Sequence, residues 1–152
     1  MIKVNRKIEY ALIALRHMSL KAPGQLSSAK EICEAYHAPF DPTSRVLQIM
    51  AQKGILQAEQ GAKGGYQITR DLTKFSLREL SDMIVGPIEL VNCFHNKHIN
   101  CDIACSCRII GPMLNLNDAI RNLFEKIMIA ELLESRHHAE QSIRERYQKQ
   151  AV

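Results

Sequence analysis

Between residues 7 and 20 the apolar side chains Ile8, Ala11, Leu12, Leu15 and Met18 recur at steps of three and four, a spacing that lines one face of a helix. The run Ala22-Pro-Gly-Gln-Leu ends it. Ser28-Ala-Lys-Glu31 has the form of a capping box and predicts a short second helix to about His37, with Ile32 and Ala35 turned inward. Pro39-Phe-Asp-Pro reads as a turn. With Asp41 as cap and Pro42 in the first position, a third helix follows to Lys53 and stops at Gly54. Val46, Leu47 and Met50 form its inner face, which leaves Thr43, Ser44, Arg45, Gln48 and Gln52 outside.

The pattern then changes period. Ile55-Leu-Gln-Ala and Tyr66-Gln-Ile flank Gln60-Gly-Ala-Lys-Gly-Gly, which predicts two short strands around a glycine-rich tip carrying Lys63. Ser76-Leu-Arg-Glu79 is a second capping box, opening a fourth helix through about Val85 with Leu77, Leu80 and Ile84 inward. Gly86-Pro87 closes it. After Gly111-Pro112 comes the longest helical pattern, in which Leu116, Ile120, Leu123, Ile127 and Ala130 form one line and Phe124, Met128 and Leu132 a second. A helix apolar over so wide an arc needs two partners, so one line is expected to pack on its own subunit and the other on a second copy, giving a symmetric homodimer. The expected fold is mainly α with a small β-wing. Residues 1–86 form a winged helix-turn-helix, 87–110 a cysteine loop, 111–135 a dimerisation helix and 136–152 a polar tail.

Charge sharpens this division. Through Arg78 there are twelve Lys and Arg against six Asp and Glu, whereas the remainder holds eight against ten. A basic first part suits a polyanion, and the outer face of the third helix carries side chains that hydrogen-bond base edges or phosphates near a helix N-terminus. The wing tip lacks both GxGxxG and the GK[ST] ending of nucleotide loops. With no apolar run approaching the ~20 residues of a membrane span and no signal-like N-terminus, a cytoplasmic protein without a membrane partner is expected.

Four of the five cysteines, Cys93, Cys101, Cys105 and Cys107, fall within fifteen residues beside His95 and His98. Thiolates this close converge only if a cation or an iron–sulfur cluster offsets their charge; the alternative is a reduced cluster of thiols without a ligand. Cys33 lies on the second helix and reads as packing.

Glu9-Tyr-Ala-Leu12, the wing string Gln60-Gly-Ala-Lys-Gly-Gly-Tyr66 and the cysteines after the fourth helix together resemble the IscR/NsrR family of winged-helix transcription regulators over residues 3–135. The resemblance implies a non-enzymatic homodimer on a palindromic operator in double-stranded DNA. Its affinity would be set by an iron–sulfur cluster, 2Fe-2S or 4Fe-4S, sensing nitric oxide, redox state or iron–sulfur supply. Ligand cysteines in the family usually have five residues between them. Cys101 and Cys107 keep that interval and Cys93 and Cys101 do not, which implies Cys93, Cys101 and Cys107 as ligands with Cys105 as alternate. Glu9 of the partner subunit matches the carboxylate that serves some relatives as fourth ligand. Other relatives place a histidine after the third cysteine, where Arg108, Ile109 and Ile110 stand here. For DNA, the resemblance places base reading at Asp41, Ser44 and Arg45. Ser28, Thr43, Gln48, Gln60, Lys63 and Tyr66 complete the candidate set, with Gln60 standing where several relatives carry arginine. The rival readings are the same regulator with zinc or bare thiols as its switch, and a small thiol or electron-transfer protein.

Overall fold

The computed structural model describes residues 4–61, 63–90, 101–103 and 106–134. The described elements are helices α1 (Arg6–Ser19), α2 (Ala29–Tyr36) and α3 (Phe40–Gln52), strands β1 (Leu56–Glu59) and β2 (Gly65–Ile68), a 3₁₀ turn at Leu72–Lys74, and helices α4 (Leu77–Ile84), α5 (Ile110–Lys126) and α6 (Ile129–Leu133). The strands pair antiparallel with Leu56 opposite Ile68 and Glu59 opposite Gly65. This is the expected helical head with a two-stranded wing.

Local chemistry explains most boundaries. Asn5 caps α1 by accepting from the Lys7 amide at 2.9 Å, and Ser76 and Glu79 form a complete reciprocal box at the start of α4. Ser28 accepts from the Glu31 amide at 3.1 Å, but the Glu31 carboxylate does not reach back. It turns instead to His17 on α1 at 2.9 Å and to Lys21, just past the end of α1, at 2.6 Å. The α2 box is thus half local and half tertiary. Ala35, expected inside, is exposed, and Cys33 takes the buried position beside Ile32.

Helix α3 begins earlier than the turn chemistry suggested. Pro39 sits at the N-cap with extended backbone, Phe40 takes the first helical position, and Asp41 and Pro42 lie within the first turn. A proline there costs little because the first amides of a helix have no internal acceptor. The same holds for α5, which starts at Ile110 and carries Gly111 and Pro112 in its first turn rather than before it.

The expected single helix over 111–135 is interrupted. Ile127 and Met128 adopt extended backbone, and Met128 forms an isolated antiparallel bridge with Ser76. Leu77 donates its amide to the Ile127 carbonyl at 2.8 Å, and Ile129 donates to the Phe75 carbonyl at 2.8 Å. These two bonds replace helical bonds lost at the break and turn α6 back onto α1, where Arg16 donates to the Leu133 carbonyl at 2.6 Å. Ile129 is consequently fully buried in the head's core with Phe75, Leu15, Ile32, Leu47, Met50, Ile55 and Leu80. On the other side of the break, Arg78 of α4 bridges Asp82 at 3.7 Å and Glu125 of α5 at 3.2 Å. Leu114, Leu116 and Leu123 of α5 stay exposed.

Candidate nucleic-acid interface and cysteine loop

The outward face of α3 follows from which of its residues the core consumes. Val46, Leu47 and Met50 are buried, so the helix is pinned against α1, α2 and α4 by that stripe. Asp41, Arg45 and Gln48 are exposed and Ser44 is half-buried, forming one polar row near the N-terminal half. Thr43 departs from expectation. It lies on the buried stripe at 0% exposure, and its hydroxyl has no hydrogen-bond partner among the described residues. Its place three residues before Val46 puts it on the inner side of the helical wheel. A buried hydroxyl without a partner is a cost. Thr43→Val should therefore raise stability by about 1 kcal/mol, read as a melting temperature roughly 3 °C higher, with DNA affinity unchanged. A fall in affinity would return Thr43 to the DNA-facing side.

Phe40, at the first position of α3, is 53% exposed. Periodicity alone assigns an aromatic residue to the core, but this ring stands at the start of α3 in solvent.

The wing is anchored to the helix-turn-helix by a backbone bridge. Ser27 and Tyr66 exchange amide-to-carbonyl bonds, both at 2.9 Å, immediately before the α2 N-cap at Ser28. The approach is so close that a Cβ on Gly65 would stand 2.8 Å from the Ser27 carbonyl oxygen, and one on Gly64 2.3 Å from that of Glu59. Two glycines in a row are thus a steric requirement here. The result is a groove lined by Ser28, Ala29, Gln60, Gly61 and Tyr66. Gln60 and Lys63 are exposed at the tip, whereas Ser28 and Tyr66 are half-buried at the groove's base. The structure thus gathers Ser28, Gln60 and Tyr66 into one groove and aligns Asp41, Ser44, Arg45 and Gln48 on one helix.

The Lys21 hydrogen bond, reinforced by His17, holds the Glu31 carboxyl below the usual carboxylate range against a smaller opposing effect of desolvation. A depressed folded pKa gives stability that is present above the unfolded value and lost as pH falls through the folded one. The Glu31 side chain is 42% exposed, so screening limits the gain. Glu31→Gln should cost under about 1 kcal/mol at neutral pH, and the difference should vanish in melts acidic enough to protonate Glu31 in the folded protein. A deficit persisting there would assign the effect to packing.

In the cysteine loop, Cys101 and Cys107 are described. Both are half-buried free thiols, unlike the core-packed Cys33. Cys93, Cys105, His95 and His98 lie outside the described residues, and among the described ones no three His, Cys, Asp or Glu are gathered to hold a metal. Glu9 is half-buried on α1 and pairs with Arg6 at 3.2 Å. The soft, partly accessible donors Cys101 and Cys107 fit an iron–sulfur cluster or zinc better than they fit a core. Among the described residues no helix is long and apolar enough to cross a membrane.

Comparison with known proteins agrees with this architecture. Residues 4–135 match the Rrf2 family, described as an iron-dependent transcriptional regulator. The transcriptional regulator NsrR of Shouchella clausii (strain KSM-K16) is 22% identical over 125 residues, covering 82% of this chain and 84% of that protein. A putative regulator of the helix-turn-helix type from Haemophilus influenzae is 23% identical over 144 residues, 95% of each chain. Among solved structures, CymR, the global cysteine regulator of B. subtilis, superposes with a TM-score of 0.65 at 17% identity, covering 88% of this chain and 97% of that one. IscR of T. potens gives 0.62 at 16% identity, covering 88% and 87%.

Proposed function

This chain belongs to the Rrf2 family of transcriptional regulators, and on that premise we propose that it binds a palindromic operator as a homodimer, with its affinity set by an iron–sulfur cluster in the loop between α4 and α5. The observation that carries the DNA-binding part is the outward row of exposed Asp41, Arg45 and Gln48 with half-buried Ser44, on a helix whose opposite side is locked into the core, beside a wing fixed by the Ser27–Tyr66 bridge. Such a row reads base edges only if its helix cannot roll, and the buried Val46, Leu47 and Met50 prevent rolling. Lys63 and Gln60 at the wing tip would contact the backbone or minor groove. Basic residues prevail in the part that meets DNA, so binding should weaken steeply with salt.

Dimerisation is supported by exposed Leu116 and Leu123, seven residues apart on one face of α5, which the described chain does not cover. The division into a head, a cysteine loop, a dimerisation segment and a tail follows from this reading. The cofactor would be held by Cys93, Cys101 and Cys107, with Cys105 as alternate and Glu9 of a second copy as fourth donor. A bound cluster supplies a centre that oxidants or nitric oxide can attack. This chain's part is to hold the thiols on a loop joined directly to α5, so that a change in the loop alters the spacing of two heads whose half-sites lie about 34 Å apart per helical turn. The protein binds and switches rather than transforming a substrate, and acts in the cytoplasm where thiols stay reduced.

Anaerobic purification followed by an absorption spectrum, iron and sulfide analysis, and a gel shift against the promoter of its own gene tests this reading. A coloured, iron- and sulfide-containing dimer that shifts the promoter is expected. Stoichiometric zinc without iron or sulfide would replace the cluster by a zinc or thiol switch. Absence of any sequence-specific shift would reject the regulator mechanism and favour a small redox carrier.

A further inference from the structure

The first turn of α3 runs ahead of the core. Its buried stripe begins at Thr43, and Pro39, Phe40 and Asp41 before it are exposed. Among the described residues of α3, Phe40 is the one exposed large apolar side chain. The backbone that carries its ring is fixed from both sides. His37 takes a left-handed conformation at φ 51°, Cys33 accepts the Ala38 amide at 3.1 Å, and the Pro39 carbonyl accepts the Thr43 amide at 3.4 Å. Pro39 itself sits at φ −67°, where its own ring locks it. A ring carried this rigidly loses little further conformational freedom when it meets a surface.

We propose that Phe40 is a specificity-determining residue that packs against the 5-methyl group of a thymine in the operator's major groove; this rests on the DNA-binding reading above. Phe40 and Ser44 are four residues apart and so share a side of α3. That sets the ring at the N-terminal edge of the row formed by Asp41, Ser44, Arg45 and Gln48, where major-groove helices make their base contacts. The chemistry divides accordingly. Those four side chains exchange hydrogen bonds with base edges or phosphates, whereas a phenyl ring offers neither a hydrogen bond nor a charge. Among the groups that base pairs show in the major groove, the thymine methyl is the apolar one. A ring that covers it takes both out of water and tells thymine from cytosine. Thr43, whose methyl group could also serve such a contact, is fully buried and leaves the task to Phe40.

Uracil in place of thymine removes the methyl group and keeps every hydrogen-bonding group of the base pair, which provides the test. The full chain and its Phe40→Ala and Phe40→Leu variants are titrated at one salt concentration against the operator footprinted in the promoter of its own gene. The duplex is made once with thymine and once with uracil in both half-sites. The parent is expected to bind the uracil duplex about fourfold more weakly for each methyl group contacted. Phe40→Ala should bind the thymine duplex more weakly by a similar factor and bind the two duplexes alike. Phe40→Leu should keep part of the difference, and carries the comparison should the alanine variant misfold. A uracil penalty as large in the variants as in the parent, or a parent indifferent to uracil, would overturn the methyl contact and leave the DNA-binding reading standing. A parent that protects no sequence in the promoter would overturn that reading and the role of Phe40 with it.

Discussion

Alanine at Cys101 or Cys107 is expected to reduce bound iron and the visible chromophore to background in anaerobically purified protein, with far-ultraviolet circular dichroism unchanged. The head does not rely on either thiol: its core is built from α1 to α4 and Ile129, and both side chains stand half-exposed outside it. A cluster with three thiolate donors loses a quarter of its coordination with each cysteine removed, and a harder oxygen donor or water replaces a thiolate poorly. The same loss is expected for Cys93→Ala, whereas Cys105→Ala and Cys33→Ala should keep the chromophore. Cys33 is the sharper control, since it is buried with its thiol facing the Pro39 carbonyl at 3.9 Å and its replacement should cost stability only. Retention of iron in Cys101→Ala or Cys107→Ala, or its loss in Cys105→Ala, would require another ligand set.

Arg45→Ala should weaken operator binding about 10- to 100-fold, the worth of one bidentate base contact of roughly 1–3 kcal/mol. Arg45 is exposed in the second turn of α3 and no ion pair of the described residues involves it. Truncation therefore leaves the head intact, and the melting temperature should not move. Binding isotherms at several salt concentrations separate two roles. A base contact relaxes sequence preference at one operator position and leaves the salt dependence nearly as it was. A phosphate contact weakens all duplexes alike and reduces the logarithmic slope by about 0.9. Lys63→Ala at the wing tip should show the second pattern. An Arg45→Ala protein with parental affinity would remove α3 as the reading helix.

Much of the head is legible from short-range chemistry. Ser76 and Glu79 lie three residues apart and satisfy each other's backbone, so the start of α4 needs no knowledge of the rest of the molecule. The wing is equally local: its paired strands and Gly61, held at φ 118°, are set within a few residues of one another. The Ser28 box shows where this stops. Its hydroxyl half forms as the pattern says, while the Glu31 half is claimed by His17 of α1 and by Lys21 just beyond that helix. Thr43 shows the opposite limit, since its polar type points outward while its position on the wheel belongs to the buried stripe.

What the amino-acid order determined on its own is the succession of elements, the Ser28 and Ser76 caps, the polar outer row of α3 and the concentration of thiols between α4 and α5, since each depends on neighbours within about one helical turn or one hairpin. What only the tertiary structure decided is the break at Ile127–Met128, the return of Ile129 to the core and the hydrogen bond that the Leu90 amide donates to Asn117. A continuous apolar period over 116–132 predicts one helix, because periodicity records which side chains seek burial and not which backbone groups have a better partner elsewhere. Phe75 and Leu77 offer that partner some fifty residues upstream, and the bonds gained there, with Ile129 taken out of water, outweigh the helical turn they interrupt.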